Sequence, residues 1–330
     1  MNKKRWFALG IAVVLFAVSL GFRFMSSLFA ADVESIMEMP QQKYKEEVVE
    51  KGTGNKIAVL ELDGVIQNIS TSSLLNTGGY NHERFLDKLE HVGQDQSVDG
   101  IILRVNTPGG GVVESDEIHD QIVEVQEEYE KPVYISMGNT AASGGYYISA
   151  PADKIVAHPA TLTGSIGVIM ESFNFAEFAD KHGIKFNTIK SGEFKDIMSQ
   201  SREMTDEEHE ILQNMVDDMY ADFVNVIVEG RDMAESRVRE LGDGRVYTGS
   251  QAAENGLIDA LGSMEDTISM MKKDFDWPSA KVVEYKGGPE WNQFLSGTVK
   301  SVFSQETKLL DIQELLRQSN GPRAMYLYSK

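Results

Sequence analysis

The sequence predicts an α/β fold in which strands and helices alternate in layers. Short apolar runs of strand length, such as Ile57–Leu62 and Gly100–Val105, are closed by turn residues. Between them lie stretches with apolar side chains at helical spacing, as in Phe85, Leu86 and Leu89. The composition agrees: 330 residues, 42% hydrophobic and 25% charged, suit a globular chain with one large domain or two ordinary ones.

Residues 1–30 stand apart. They hold Lys3, Lys4, Arg5 and Arg23 and no acidic residue, and an uncharged run of 17 residues separates Arg5 from Arg23. At ~1.5 Å per residue the run reaches the short end of what crosses a bilayer core of ~30 Å. A cleaved secretory signal has a shorter apolar stretch and a small-residue site, of which Leu28-Phe29-Ala30 is a poor version. We therefore read 1–30 as an uncleaved, single-pass N-terminal transmembrane helix with Trp6 at the headgroup level. Lys3-Lys4-Arg5 then stays cytoplasmic and the body lies outside the cytoplasm, at the cell membrane. Residues 31–55 are polar and acidic and read as a stalk. A helix packed on the body through Val33, Ile36 and Met37 is the competing reading.

In the body, 56–285, a strand over 57–62 ends at Asp63-Gly64, and a helix spans 82–92. A buried strand over 100–105 runs into Thr107-Pro108-Gly109-Gly110-Gly111. The amphipathic helix after it carries Val113, Ile118, Ile122 and Val125 on one face. Next come a strand over 132–137, a small-residue loop over 138–142 and a short helix from Ser143. Further strand-type runs lie at 154–157, 165–170 and 185–190, and helices at 206–229, 234–241 and 264–275. Met215 and Met219 in the long helix read as core filler. The C-terminal segment, 286–330, has helical apolar stripes over 290–303 and 307–317. It ends in Ala324-Met325-Tyr326-Leu327-Tyr328, which we expect to dock rather than hang free.

Charge and composition narrow the chemistry. The 51 acidic against 31 basic side chains give a net charge of −20, which disfavours nucleic acid as a partner. The absence of cysteine removes disulfides, thiolate metal sites and thiol nucleophiles. His82, His91, His119, His158, His182 and His209 show no metal-ligand spacing, so neither a metal nor another cofactor is expected. Two turns remain. The Thr107–Gly111 turn lies where backbone N–H groups can bind an anion, and reads equally as a tight strand-to-helix turn or as an oxyanion hole. Ala141-Ala142-Ser143-Gly144-Gly145 reads as a packing turn or as a nucleophile elbow, which needs small residues around its serine.

Three segments taken together are more specific: VNTPGGGV at 105–112, TAASGGYYISAPADKIVAHPATLTGSIGV at 140–168 and SGEFKD at 191–196. They resemble the signal peptide peptidase A family, the membrane-bound serine proteases of peptidase family S49, in its short single-domain form. GRVYTGSQAAENGLIDALG at 244–262 is similar too, although that motif is shared with the wider Clp-protease and crotonase group. The resemblance implies a ClpP/crotonase-like domain and a Ser/Lys dyad. Ser143 matches the nucleophile, Lys195 the general base and Ser165 the residue that orients the lysine; Gly110 and Gly144 match the oxyanion donors. Thr107 departs from the serine common before Pro-Gly-Gly. The backbone works at that turn, so the change is expected to matter little.

A free lysine is a cation at neutral pH and cannot accept a proton, so a base at Lys195 needs burial to lower its pKa. Phe194, Ile197 and Met198 could wall the amine, whereas Glu193 and Asp196 must face elsewhere. The resemblance also implies a homo-oligomer acting on cleaved signal peptides and other small or unfolded polypeptides. Two other readings are a non-catalytic membrane scaffold and a crotonase-like thioester enzyme. A Ser-His-Asp site with His158 or His182 is a third arrangement that the pattern allows.

Overall fold

Apolar, largely β-branched runs form the centre of the molecule because a parallel sheet is buried on both faces. The computed structural model describes residues 44–68, 80–287 and 324–328. The expected anchor, most of the stalk and the helical stripes after residue 288 lie outside them. Among the described residues no helix is long and apolar enough to cross a membrane. The chain divides into two compact units, residues 1–45 and 46–330.

The strands of the larger unit are β2 (Lys56–Asp63), β3 (Gly100–Thr107), β4 (Gly109–Gly111), β5 (Val133–Ala142), β6 (Lys154–Ala157), β7 (Leu162–Gly164), β8 (Val246–Thr248), β9 (Ala260–Leu261), β10 (Lys281–Gly287) and β11 (Met325–Leu327). The strand β1 (Tyr44–Glu50) precedes them. The main sheet runs β1-β10-β2-β3-β5-β6-β9, with β7 paired to β5 and β8. From β10 to β9 each neighbour is parallel. Ile57, Ile101, Leu103, Val105, Ile135 and Ile155 are all fully buried. Helices α1 (His82–Gln94) and α2 (Val112–Glu127) bury Phe85, Leu89, Ile118, Ile122 and Val125. The helix α8 (Met264–Asp274) sets Ile268 and Met271 against Ile57, Ile102 and Tyr134.

Four segments differ from the sequence reading, and the first two position the site. Residues 138–142 are not a loop but the second half of β5. After a register shift between Val105 and Thr107, Thr140–Ala142 leave β6 and pair with β7. The expected strand over 165–170 is instead β7, three residues earlier. Ser165 has φ +51° and leaves extended geometry, its N–H bonding the Arg245 carbonyl at 2.8 Å. Residues 185–190 are exposed and form no strand, because no strand among the described residues pairs with them. The stalk reading fails over 44–50, which is strand β1; there Glu46 and Glu50 bond Lys56 and Lys272.

Between these strands lie α3 (Gly144–Tyr147), α4 (Ala176–Lys181), α5 (Asp206–Arg231), α6 (Glu235–Leu241) and α7 (Gly249–Asn255). The helix α5 opens with a full capping box: the Thr205 hydroxyl accepts the Glu208 N–H, and the Glu208 carboxylate accepts the Thr205 N–H.

The C-terminal residues do dock. The strand β11 pairs antiparallel with β4, matching Tyr326 to Gly110. Tyr326 is fully buried, stacks on Tyr147 with centroids 4.9 Å apart and donates its hydroxyl to the Met219 carbonyl at 3.0 Å.

Candidate active site

The site is built where β3, β5 and β7 end, at the carboxyl edge of the sheet. Thr107 is fully buried and closes the first turn: its Oγ1 accepts the Gly109 N–H at 3.0 Å. Gly110 tolerates no side chain, since a Cβ there would come 1.8 Å from the Ile66 carbonyl oxygen. One edge of β4 is held by Ile66, whose N–H donates to Gly109 and whose carbonyl accepts the Gly111 N–H. The other edge carries β11.

The second turn follows β5. Ser143 takes φ +55° and ψ −118°, a conformation that costs a non-glycine residue roughly 1–3 kcal/mol. The fold fixes it there. Its N–H donates to the Gly164 carbonyl at 2.7 Å, and its own carbonyl accepts the Tyr146 and Tyr147 N–H groups. Ser143 is 1% exposed and immediately precedes α3. Strand, strained serine and helix is the arrangement that a nucleophile elbow requires.

The two turns touch. A Cβ on Gly144 would meet the Ser115 hydroxyl at 2.6 Å and the Gly110 nitrogen at 3.2 Å. A Cβ on Gly145 would meet the Thr107 methyl at 2.7 Å. The structure therefore brings Ser143, Gly144 and Gly110 together, and the Gly164-Ser165 turn adjoins them through the Ser143 N–H. Ser165 is 8% exposed and borders a cleft of about 650 Å³, lined also by Ile166, Tyr220, Arg239, Asp243 and Leu327.

Lys195 stands outside this group. It is exposed, on the irregular segment that follows α4, although Phe194, Ile197 and Met198 are half-buried. The expected burial of its amine is thus not supplied within the single chain. Asp196 is engaged elsewhere: Arg202 and Lys190 occupy its carboxylate, and these bonds hold it well below the usual carboxylate range. His158 and His182 are exposed, and their ring nitrogens bond Ala160 and Phe178 rather than Ser143. Asp116, His119 and Asp120 bring possible ligand atoms within 4.8 Å of one another, but Asp116 already accepts the Tyr147 hydroxyl.

Sequence reasoning passed over Ser115, which is fully buried and donates to the Gly111 carbonyl at 2.8 Å while packing on Gly144. Its place four residues after Gly111, on the first turn of α2, was the available signal. It also undervalued Thr107, whose hydroxyl and methyl both shape the site.

Over 345 residues, 99% of each chain, the sequence is 37% identical to an Enterococcus faecium protein named for signal peptide peptidase SppA. It is 32% identical over 293 residues to Protease 4 of Haemophilus influenzae, covering 83% of this chain and 46% of that one. A ClpP1 variant from Listeria monocytogenes superposes with a TM-score of 0.41 at 17% identity, over 64% of this chain and 94% of that one. The profile of Peptidase family S49 matches residues 126–277. The chain belongs to peptidase family S49 and is a serine protease.

Proposed function

We propose that the chain is a membrane-anchored endopeptidase with a Ser143/Lys195 dyad on a ClpP/crotonase-like domain spanning 56–285. Its substrates are remnant signal peptides and other small or unfolded polypeptides outside the cytoplasm. The observation that carries this reading is the buried, strained Ser143 beside Gly144 and Gly110. Such strain persists only where the surrounding structure over-determines it, and it concentrates at reactive sites. A scaffold or a thioester-binding relative would leave that serine without a task.

In the reaction the neutral Lys195 amine takes the Ser143 proton as the hydroxyl oxygen attacks a peptide carbonyl. Once residues 325–327 leave the edge of β4, the Gly110 N–H joins that of Gly144 in stabilising the oxyanion, a contribution of ~2.7–4 kcal/mol per donor in comparable sites. The leaving amine takes the proton back, and water, activated by the same lysine, releases the acyl group. Ser165 directs the amine.

Because Lys195 is exposed in one chain, its desolvation must come from whatever covers the segment 169–200. That segment exposes Phe173, Phe178, Ile184, Phe186 and Ile189, an apolar surface suited to a second copy of the chain. Assembly would then complete the dyad. A fluorophosphonate probe tests the reading: it should label wild type at Ser143, whereas Ser143→Ala and Lys195→Ala should neither label nor hydrolyse peptides. Full hydrolysis by Lys195→Ala would refute the dyad.

A further inference from the structure

The turn that carries Lys195 has little of its own to hold it. Residues 192–199 are successive turns joined by Lys195 N–H to Gly192, Ile197 N–H to Phe194 and Ser199 N–H to Asp196, and Met198 sits at φ +62°. What fastens them is chiefly one guanidinium, with the Lys190 ammonium beside it. Arg202 Nε donates to Asp196 Oδ2 at 3.0 Å, and Nη2 donates to Asp196 Oδ1 at 2.7 Å and to the Asp196 carbonyl at 3.0 Å. Nη1 donates to Glu208 Oε2 at 2.7 Å and to the Glu203 carbonyl at 3.0 Å, and Nη2 also reaches Glu208 Oε1. Every N–H of the fork is directed at an acceptor. Glu208 is itself buried and locked into the capping box of α5. The residue beside Lys195 is therefore tied to a helix of 26 residues.

We propose that Arg202 is a positioning residue for Lys195, gripping the carboxylate and carbonyl of Asp196 so that the turn is fixed and the neighbouring carboxylate is kept off the amine. The inference rests on the reading of Lys195 as the base and deepens it. A carboxylate within ~4–6 Å of an amine favours the ammonium form by 1–3 pKa units, which would disable a base. Asp196, one residue away, is the nearest such threat in the sequence. The structure neutralises it: Asp196 and Glu208 carry two negative charges, Lys190 and Arg202 two positive ones, with Lys190 Nζ on Asp196 Oδ1 at 2.6 Å. The remaining contacts are neutral. Lys190 also donates to the Glu193 carbonyl, and the Asn174 side chain donates to the Arg202 carbonyl. Lysine could replace Arg202 only in part, because a point charge lacks the planar fork that engages two carboxylates at once.

The test uses the full chain in its native assembly and a fluorogenic peptide, with kcat and KM followed from pH 6 to 10. Arg202→Gln leaves Asp196 free of its main partner. We expect kcat to fall at least tenfold with KM changed less than threefold, and the rising limb of kcat to move up by about one pH unit or more. Arg202→Lys should recover part of kcat. The double variant Asp196→Asn/Arg202→Gln should return the limb towards wild type while keeping the lower thermal stability, because the released charge is gone but the clasp is still missing. If Arg202→Gln lowers the melting temperature yet leaves kcat and its pH limb in place, Arg202 is only structural and the proposal fails. Should Arg202→Gln not fold, Arg202→Lys decides: an unmoved limb with unchanged kcat overturns the proposal, and a limb moved upward supports it. Lys195→Ala is run alongside. If it retains activity, the base assignment fails whatever Arg202 does, so the two failures are distinguishable.

Discussion

Truncating Tyr326 to alanine should release the C-terminal strand without unfolding the body. The ring is fully buried between Tyr147 and Phe223, and its hydroxyl donates to Met219. Removing a large buried aromatic side chain costs about 3–5 kcal/mol. Residues 324–328 can detach by themselves, so the loss falls on docking and not on the sheet. At 1.4 kcal/mol per tenfold, docking weakens by about 10² to 4 × 10³. The reporters are the amides of Met325 and Tyr328, which donate to the Ile169 and Pro108 carbonyls. Their hydrogen exchange should accelerate by about that factor, while the amides of β3 and β5 keep their protection. Tyr326→Phe, which loses only the hydroxyl bond of about 1 kcal/mol, should accelerate them about fivefold. Equal exchange in wild type and Tyr326→Ala would refute the reasoning, as would loss of protection across the whole sheet.

Three further outcomes are expected. Gly110→Ala drives a Cβ into the Ile66 carbonyl, so it should lower stability by about 1–3 kcal/mol in thermal melts and kcat by ~10²–10³-fold. Mixing inactive Ser143→Ala with inactive Lys195→Ala should restore about a quarter of wild-type activity if assembly pairs each serine with a neighbour's lysine at random; a dyad within one chain would restore none. Asp196 and Glu208 are held below their ordinary values by Arg202, Glu208 at about 2. Their contribution to stability is therefore complete above about pH 4.5 and is lost as the pH falls towards 2. The amide protection factors over 190–205 should fall in that window, and unchanged protection would refute the assignment.

The buried strands were legible because a parallel strand covered on both faces reads as an unbroken apolar run, as in Ile57–Leu62 and Lys154–Ala157. The same cue misled at 185–190, where apolar residues are exposed, and at 165–170, where Ser165 departs to positive φ. The strand β4 was illegible: three glycines carry no pattern, and their partner lies more than 200 residues away. The serine and glycine turns of the site were legible from turn chemistry, though only as alternatives until the family resemblance weighted them. Arg202 gave no periodic signal. Its carboxylate acceptors lie six residues to either side, and only Thr205-x-x-Glu208 announced the helix start to which it ties.

The short strand β4 has two edges, and neither is vacant. Ile66 fills one and the chain's own residues 325–327 fill the other, in register with Gly110. An extended peptide that seeks main-chain bonds along Gly109–Gly111 must therefore evict a rival that is covalently tethered and never diffuses away. Its apparent affinity scales with the fraction of time the edge stands open. Peptides able to put an aromatic ring where Tyr326 lies, against Tyr147 and Phe223, would recover the contacts that the eviction gives up.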